Sequence, residues 1–384
     1  MKNKIIKYLV LFVFLIFVLI VYLSTFGLET DRFNNQIKNR ILQTNQNLDL
    51  DLKKIKLILD PFNFKIYAKT DNAKVFYLKR SLDLDYIKTQ ISISSLIKKK
   101  FISSQIEVAT SSILLNDLIK IIRATNNKLE LFLLEKTIDK GQIILSINFN
   151  IDDNGKIKND YEINGLIKEA NINFLNKLNF ENINFNFNIK KDSYLLKNIK
   201  FTAEKVNFIA DKLNIIKKKN NFLLDGIIRS NKANLNLDVL KILNFNLENI
   251  DLNGTKFETN NKFSLEIDNK FRVKNIILNS DIKINQLNYK KPKIIDNYLS
   301  DISEYILLEN QKINLNYKNK NLLVKGEGKI QLNDELNQIK YLINKNKKNL
   351  NIESELFLKK LNLKNQDFLK IFFPKLNEKI YFND

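Results

Sequence analysis

Apolar residues at every second position recur through most of this chain, and this period of two restricts its fold more than any other feature. The clearest stretch carries five apolar residues on one parity: Ile143, Leu145, Ile147, Phe149 and Ile151. An Asp153-Asn154-Gly155 turn follows, and four apolar residues then return: Ile157, Tyr161, Ile163 and Ile167. Alternate side chains of a strand point to opposite faces of a sheet, so this pattern predicts a long antiparallel hairpin with one apolar face.

Similar strands recur along the chain, including one with four apolar residues on one parity: Ile183, Phe185, Phe187 and Ile189. About a dozen such strands in series are compatible with a β-sandwich, a barrel or an elongated, curled sheet. The chain has only 8 Gly and 3 Pro, so the Gly- and Pro-rich turns of a sandwich are poorly represented. We therefore expect a mainly β protein with a few helices.

The N-terminal segment from Tyr8 to Leu28 contains no charged residue over 21 positions. As a single helix it would cross the roughly 30 Å hydrocarbon core of a bilayer. Three lysines precede it and Glu29 follows, so the positive-inside rule predicts a single-pass anchor with a cytoplasmic N-terminus. A cleavable signal peptide is the alternative, although Ser24-Thr25-Phe26 is a poor cleavage site. An inner-membrane anchor of this kind also disfavours an outer-membrane barrel.

The composition excludes several kinds of chemistry, because the chain contains neither histidine nor cysteine. Zinc sites, cysteine nucleophiles, histidine-based triads and disulfides are therefore impossible. The net charge of +21 accompanies a general excess of Lys, Asn, Ile and Phe, which a genome rich in A and T would produce. Attraction to an acidic surface is the alternative explanation of the charge. No cofactor, metal site or catalytic residue is predicted, and a nucleic-acid partner is not expected.

Helical spacing interrupts the alternation in five places. The predicted helical faces and segments are Phe33, Ile37 and Ile41; Leu114, Leu118, Ile121 and Ile122 behind a Ser111 or Ser112 cap; Ile295, Leu299, Ile302 and Ile306 behind Pro292; residues 334–345; and residues 366–384, broken at Pro374. We expect these helices to cap or flank the sheet.

The passage from Asn72 to Leu115 reads as a strand with Leu82 and Leu84, a strand with Ile91 and Ile93, a basic link and a further strand. Together with the single anchor and the short helix, this succession resembles the N-terminal module of the AsmA-like family. The resemblance covers about residues 1–125 and lies in the pattern, since a Gly and a Pro usual in the family are missing. It implies an open groove of antiparallel strands with an apolar concave face.

The same resemblance implies that the protein moves phospholipid between the inner and outer membranes. We therefore expect an anchored periplasmic protein that binds acyl chains and performs no bond chemistry. It would act in phospholipid transport or outer-membrane homeostasis, with outer-membrane or periplasmic proteins as further partners. An anchored scaffold that assists outer-membrane protein assembly without carrying lipid is the alternative. A carbohydrate-active enzyme on a β scaffold is a third interpretation.

Three regions are predicted: a transmembrane anchor at 1–28, an AsmA-like module at 29–125 and a β-groove region at 126–384. Chains of the family usually continue with further strands beyond a Phe-Pro segment such as Phe373-Pro374, so this chain is either a short member or a fragment. The predicted groove lining consists of Ile143, Leu145, Ile147, Phe149, Ile183, Phe185, Phe187 and Ile189. The competing interpretation is that these side chains pack against each other in an ordinary core.

Three weaker signals complete the sequence. Lysine clusters at 98–100, 217–219 and 345–348 suit anionic head groups or solvated strand edges. The pairs Asp49/Asp51 and Asp83/Asp85 each share a strand face, as alternation alone would produce. Gly326-Glu327-Gly328 favours a β-bulge over a phosphate loop.

Overall fold

The structure is a computed structural model of the 384-residue chain. The residues it describes are 2–32, 34–44, 46–63, 65–77, 80–92, 103–125, 129–152, 158–174, 178–219, 221–235, 250–268, 272–291, 293, 302–332, 336–358, 360–362 and 381–383.

The described residues contain four α-helices, namely α1 Lys2–Thr25, α2 Asn34–Thr44, α3 Leu115–Thr125 and α4 Leu129–Thr137. Helix α1 contains the apolar N-terminal run as far as Thr25, whereas Leu28 begins a strand, and α2 contains the predicted Ile37. Both predicted helices are therefore confirmed, the first with an earlier end. Phe33, which was assigned to the same face as Ile37, lies outside the described residues. Ile37 packs against the buried pair Ile55 and Ala68, and this contact places α2 on the sheet.

The strands of the described residues are β1 Leu28–Thr30, β2 Leu48–Asp51, β3 Ile55–Asp60, β4 Lys65–Asp71, β5 Lys74–Tyr77, β6 Arg80–Ser92, β7 Ser103–Thr110, β8 Ile113–Leu114, β9 Ile138–Asn150, β10 Glu162–Phe174, β11 Leu178–Lys190, β12 Ser193–Ala203, β13 Val206–Lys218, β14 Asn221–Asn234, β15 Ile250–Asp251, β16 Lys256–Asp268, β17 Val273–Lys290, β18 Tyr305–Lys318, β19 Asn321–Gln331, β20 Leu336–Lys345, β21 Leu350–Phe357, β22 Lys360–Asn362 and β23 Tyr381–Asn383. Twenty-one of them form one antiparallel sheet that does not close into a barrel, and β22 pairs with β23. The expected mainly β fold with an N-terminal helix is confirmed.

The chain divides into a first unit, Met1–Leu196, and a second unit, Lys197–Asp384, with the division inside β12. In the first unit the paired strands run in the order β1, β3, β4, β6, β7, β9, β10, β11. Strand β6 is one 13-residue strand that pairs with β5 through its first half and with β4 through its second. The prediction of two separate strands here was wrong for residues 80–92. Ile93 lies outside the described residues, and the predicted bend at Lys53-Lys54 separates β2 from β3.

In the second unit the strands pair in the order β13, β14, β16, β17, β18, β19, β20, β21, and the short β15 pairs with β17. Each of these strands pairs with its nearest neighbours along the chain, apart from the insertion of β15. Neighbouring antiparallel strands can be joined by a turn of two residues, as Asn319 and Lys320 join β18 to β19.

Residues in the left-handed region lie at register shifts inside several strands. Glu169 in β10, Asn182 in β11, Asn275 in β17 and Asn310 in β18 have φ between 48° and 52° and coincide with shifts in strand pairing. An extra residue on one strand bends that strand and increases its local twist. Asn adopts positive φ more readily than most residues, so this Asn-rich chain forms bulges with little glycine.

Two segments predicted to be helical contain strands in their described residues. Residues 336–345 form β20, which pairs with β19 and β21, and Ile306 lies in β18. Ile302 precedes β18 without helical structure, whereas Ile295 and Leu299 lie outside the described residues. Strands β18 and β20 each form hydrogen bonds with a neighbouring strand on both sides. This pairing outweighs the weak helical spacing of their sequences, because the surrounding structure influences strand formation more than intrinsic propensity does. The C-terminal segment 363–380 also lies outside the described residues.

Helix α3 forms where the sequence predicts a helix, but its buried face differs from the predicted one. Leu115 and Ile119 are 7% and 6% exposed, whereas Leu114 lies in β8 and is 56% exposed. Ile122 is 41% exposed. The helix begins at Leu115, and the Ser112 hydroxyl donates to the Gln142 side chain, so the predicted serine cap was wrong.

Candidate functional site

The eight residues predicted as a groove lining lie on one face of β9 and β11, with β10 between these strands. The pairing aligns three rows across the strands: Ile143, Ile167 and Phe185; Leu145, Gly165 and Phe187; Ile147, Ile163 and Ile189. Phe149 continues this face on β9, and Ile183 continues it on β11 opposite Ala170. We call this set of residues the first apolar face.

Burial divides the predicted residues of the first apolar face into two groups, which alternate along β11. Ile143, Leu145, Ile183 and Phe187 are between 5% and 8% exposed, so they have the environment of an ordinary core. The other four predicted residues are half-buried: Ile147, Phe149, Phe185 and Ile189. Ile143 and Leu145 lie on β9, which α3 and α4 contact. The core interpretation therefore describes the four buried residues, and the half-buried residues form the candidate site.

Specific polar contacts hold α3 against the sheet. The Asn116 side-chain amide donates to the carbonyl oxygen of Ile138 at 3.3 Å, which joins the helix to the start of β9. Arg123 of α3 forms an ion pair with Glu135 of α4, and its guanidinium lies 5.4 Å from the centroid of the Phe132 ring. These contacts fix both helices at one end of the first apolar face.

Gly165 allows an aromatic side chain to lie across the backbone of β10. A Cβ atom at this position would meet the Phe187 ring at 2.3 Å and the carbonyl oxygen of Ile144 at 2.7 Å. Phe185 lies beside Phe187 with a centroid separation of 6.2 Å. The glycine therefore lets the ring fill space that any other side chain would occupy.

The second unit carries its own apolar face, which the sequence analysis did not assign to the site. One aligned row crosses five strands through Thr259, Ile282, Ile313, Gly326 and Tyr341. Further members of the second apolar face are Phe208, Leu213, Ile215, Phe222, Leu224, Ile228, Phe263, Leu278, Leu315, Tyr317, Leu322, Val324, Ile339, Ile343, Ile352 and Leu356. The same period-two signal was present here and could have identified these residues.

Exposure varies along the second apolar face. Two buried clusters lie at one end of the strands, one around Val206, Leu235 and Phe257 and the other around Ile306 and Ile330. Towards the other end most of the apolar side chains are half-buried. The described residues of the second unit contain no α-helix, so no described helix covers this face. It is a second half-exposed apolar surface.

The opposite face of the same strands is charged. An in-register row crosses six strands: Glu258, Lys283, Lys312, Glu327, Lys340 and Glu355. The Lys283 ammonium donates to Glu258 at 2.7 Å, and this hydrogen bond raises the pKa of Lys283 and lowers that of Glu258. A trough of about 740 Å³ follows this row. Opposite charges on neighbouring strands stabilise the sheet and favour a solvated face.

On the polar face of the first unit, Tyr86 has a strongly raised pKa. The Tyr86 hydroxyl donates to Glu107 at 2.6 Å, and this bond, with some burial, raises the pKa of Tyr86 to about 12. The Lys69 ammonium lies 4.9 Å from the centroid of the Tyr86 ring. The hydroxyl remains protonated at neutral pH and acts as a structural donor.

The two acidic pairs singled out in the sequence lie beside lysines. Asp49 is 3.2 Å from Lys38, and Asp83 is 3.2 Å from Lys74. Within the described ranges, no group of three acidic side chains is arranged to hold a metal ion. Asp49, Asp51 and Asp83 therefore belong to ordinary ion pairs.

The predicted bulge near Gly326 and Gly328 lies in the neighbouring strand. The register of β18 against β19 shifts between Glu309 and Lys312, opposite Gly328, whereas β19 pairs regularly with β20. A Cβ at Gly326 would meet the Tyr341 ring at 1.9 Å. These glycines thus make room for side chains of neighbouring strands on the second apolar face.

Comparison with known proteins adds no family assignment, since no protein-family model, curated protein or solved structure matches the chain. Residues Ile6–Thr25 of α1 are long and apolar enough to cross a membrane, and none of this stretch is buried. An N-terminal signal sequence has the same two properties. The helix is therefore a candidate membrane span.

Proposed function

We propose that this protein binds phospholipid acyl chains along its apolar sheet faces and is held at a membrane by α1. In this proposal it is an inner-membrane protein with a cytoplasmic N-terminus and a periplasmic sheet, acting in phospholipid transport or outer-membrane homeostasis. The resemblance of residues 1–125 to the AsmA-like family motivates the cellular setting. The binding itself is argued from the sheet.

The observation that supports the proposal is the half-exposed second apolar face. Its side chains, such as Ile313 and Leu315, alternate with exposed polar neighbours, and no described helix packs over them. A contiguous apolar surface of more than a few hundred square ångströms usually marks a binding site. A long apolar ligand such as an acyl chain suits such a face.

The energetics favour an acyl chain on such a face. Each methylene group removed from water contributes about 0.8 kcal/mol, so a chain of ordinary length gains far more than one side chain does. The charged row from Glu258 to Glu355 on the opposite face keeps that side in water. A sheet with this division can bind apolar chains on one side while remaining soluble on the other.

Site-specific photocrosslinking in cells tests the proposal on the full chain. A benzophenone amino acid replaces Tyr317 or Phe185 on the apolar faces and, as matched controls, the adjacent Asn316 or Asn184 on the opposite face. We expect phospholipid adducts at Tyr317 and Phe185 at least about tenfold above those at the asparagine positions. Mass spectrometry of the irradiated protein measures the adducts.

Equal lipid labelling on both faces, or no lipid adduct at Tyr317 in a folded protein, would contradict acyl-chain binding. Protein adducts at Tyr317 in place of lipid adducts would show that a polypeptide covers the face. The experiment therefore separates a lipid-binding face from a face that packs against protein.

A scaffold for assembling outer-membrane proteins is the second candidate, and strand β21 favours it. In the described residues β21 pairs only with β20, and every residue from Leu350 to Phe357 is exposed. An unpaired strand edge can add a strand of another chain. Benzophenone at Asn351 tests this candidate, because a client strand paired there gives protein adducts.

A further inference from the structure

The hairpin turns at one end of the second unit form a basic surface. Strand pairing places the ends of β13, β16, β18 and β20 together with the starts of the strands that follow them. Successive hairpins of this meander lie two strands, or about 10 Å, apart. We call the turn residues 217–219, 318–320 and 345–349, with residues 266–268 and 272–275, the basic rim.

Eight exposed lysines of the basic rim form no ion pair with another described residue: Lys217, Lys218, Lys219, Lys318, Lys320, Lys345, Lys347 and Lys348. The two acidic residues of the rim are already engaged. Asp268 is bound by Arg272 at 2.8 Å and by Lys274 at 3.1 Å, and Glu266 accepts a hydrogen bond from Asn275. The rim therefore presents lysine charge without nearby acidic compensation.

The general excess of lysine does not account for this distribution. The whole chain has 42 acidic residues against 63 basic ones, so an unbiased surface would mix both signs. The other end of the same strands does so, as in the Lys290–Glu304 pair at 2.9 Å. Protection of strand edges does not account for the lysines at 217–219, 318 and 320 either, because β13, β14, β18 and β19 are paired on the side of their turns.

Exposed apolar side chains accompany the lysines. Val273 is 50% exposed, Leu350 is 59% exposed and Ile216 is 42% exposed, and each lies within two residues of a rim lysine or arginine. Leu350 also faces Lys345 across the strand pair. Lysines with interspersed apolar side chains suit the interface of an anionic bilayer. Nucleic acid favours free arginines and aromatic platforms, whereas the described rim has a single arginine, which binds Asp268.

We propose that the basic rim docks on the surface of an anionic phospholipid bilayer. The lysines are attracted to the head groups, and Val273, Leu350 and Ile216 enter the interfacial layer. This contact is separate from the α1 segment and does not require acyl chains to bind the apolar faces.

The test uses the full chain held through α1 in a nanodisc of neutral phosphatidylcholine. Fluorescent vesicles containing about 30% phosphatidylglycerol, or phosphatidylcholine alone, are added and their capture is measured by flotation. The rim variant changes six lysines to glutamine: Lys217, Lys218, Lys219, Lys345, Lys347 and Lys348. The control variant removes the same charge from exposed lysines elsewhere in the second unit: Lys200, Lys212, Lys256, Lys262, Lys325 and Lys329.

We expect capture of the anionic vesicles alone, and a loss of at least about 100-fold in vesicle affinity in the rim variant. The expectation follows because each lysine near an anionic surface contributes roughly fivefold. The control variant should lose at most about fivefold, because its lysines lie away from the contact and are screened by salt. Val273→Ser with Leu350→Ser should weaken capture further without changing its dependence on salt.

Equal losses in the two six-lysine variants would show that net charge, rather than the basic rim, attracts the vesicles and would overturn the proposal. Capture of neutral vesicles, or no capture by the unmodified protein, would also overturn it. Photocrosslinking from position 317 in the rim variant measures lipid binding to the second apolar face independently of vesicle capture. Failure of the rim and failure of acyl-chain binding are therefore distinguishable.

Discussion

The two units use the same alternation of apolar and polar residues, but they treat the apolar face differently. In the first unit, α3 and α4 contact β9, and residues such as Ile143 and Leu145 are fully buried there. In the second unit, the described residues include no α-helix, and residues such as Ile313 and Leu315 remain half-buried. Alternation thus determines which side chains share a face, whereas the segments packed against that face contribute to how deeply its side chains are buried.

The largest expected effect separates a covered apolar residue from an uncovered one. Ile143→Asp places a carboxylate at a site that is 5% exposed and should lower the free energy of unfolding by about 3–5 kcal/mol. Ile313→Asp on the second apolar face should cost only about 1 kcal/mol, because water reaches the half-buried carboxylate. Urea unfolding of the full chain in one detergent, followed by far-UV circular dichroism, measures both losses.

Ile144→Asp is the matched control for the first substitution, because Ile144 lies next to Ile143 but is 37% exposed on the opposite face. Its loss should stay below about 1 kcal/mol. Similar losses for Ile143→Asp and Ile313→Asp would mean that the second apolar face is covered as closely as the first.

A smaller effect distinguishes the two glycines that lie under aromatic rings. Gly326→Ala should cost about 1–3 kcal/mol, because the three nearest atoms to the new Cβ all belong to the Tyr341 side chain. Adding Tyr341→Ala removes that clash, so the double variant should lose at least about 1 kcal/mol less than the sum of the single losses. A double-mutant cycle of urea unfolding measures this coupling.

The equivalent cycle in the first unit should show less relief, although Phe187→Ala removes the contact with the ring. Gly165→Ala also brings its Cβ to 2.7 Å from the backbone carbonyl oxygen of Ile144, which Phe187→Ala leaves in place. Additive losses at Gly326 and Tyr341 would contradict the close approach described for the second apolar face.

The smallest expected effect concerns a hydrogen bond between two side chains on the polar face of the first unit. Tyr86 donates to Glu107 in the first unit, and the raised pKa of about 12 means that the protonated hydroxyl is favoured by folding. This contribution to stability is complete below pH 10 and is lost as the pH rises through about 12. The difference in absorbance at 295 nm between the unmodified protein and Tyr86→Phe isolates this titration.

Glu107→Gln provides the control, because it removes the negative charge that disfavours the phenolate. The midpoint of the Tyr86 titration should then move back towards 10. An unchanged midpoint would show that burial, rather than the hydrogen bond to Glu107, holds the pKa of Tyr86 above its usual range.

Much of the first unit was predictable because its signals are local and strong. The uncharged run indicates the helix α1, and the break at Lys53-Lys54 indicates the end of β2 and the start of β3. The alternation of apolar residues indicates the hairpin of β9 and β10. The parity of Ile143 and Ile183 placed both on the first apolar face. Whether acyl chains bind there remains a prediction.

The rest depended on contacts that the sequence does not display. Leu336, Ile339 and Ile343 have helical spacing, yet Ile339 and Ile343 lie on one face of a strand paired on both sides. The buried face of α3 moved by one residue because Leu114 joins β8. Bulges at Asn275 and Asn310 could not be recognised, because asparagine is common throughout the chain and its local preference carries little information.

The nearest-neighbour pairing of the second unit makes its sheet a one-dimensional array. Each hairpin, such as β18 with β19, meets only the strand before it and the strand after it. In such arrays stability is nearly a sum of repeating terms and boundary terms. A two-strand insertion would preserve the parity of every other strand and add about 10 Å of apolar surface. The reach of this surface can therefore change during evolution in increments of one hairpin, without redesign of a common core.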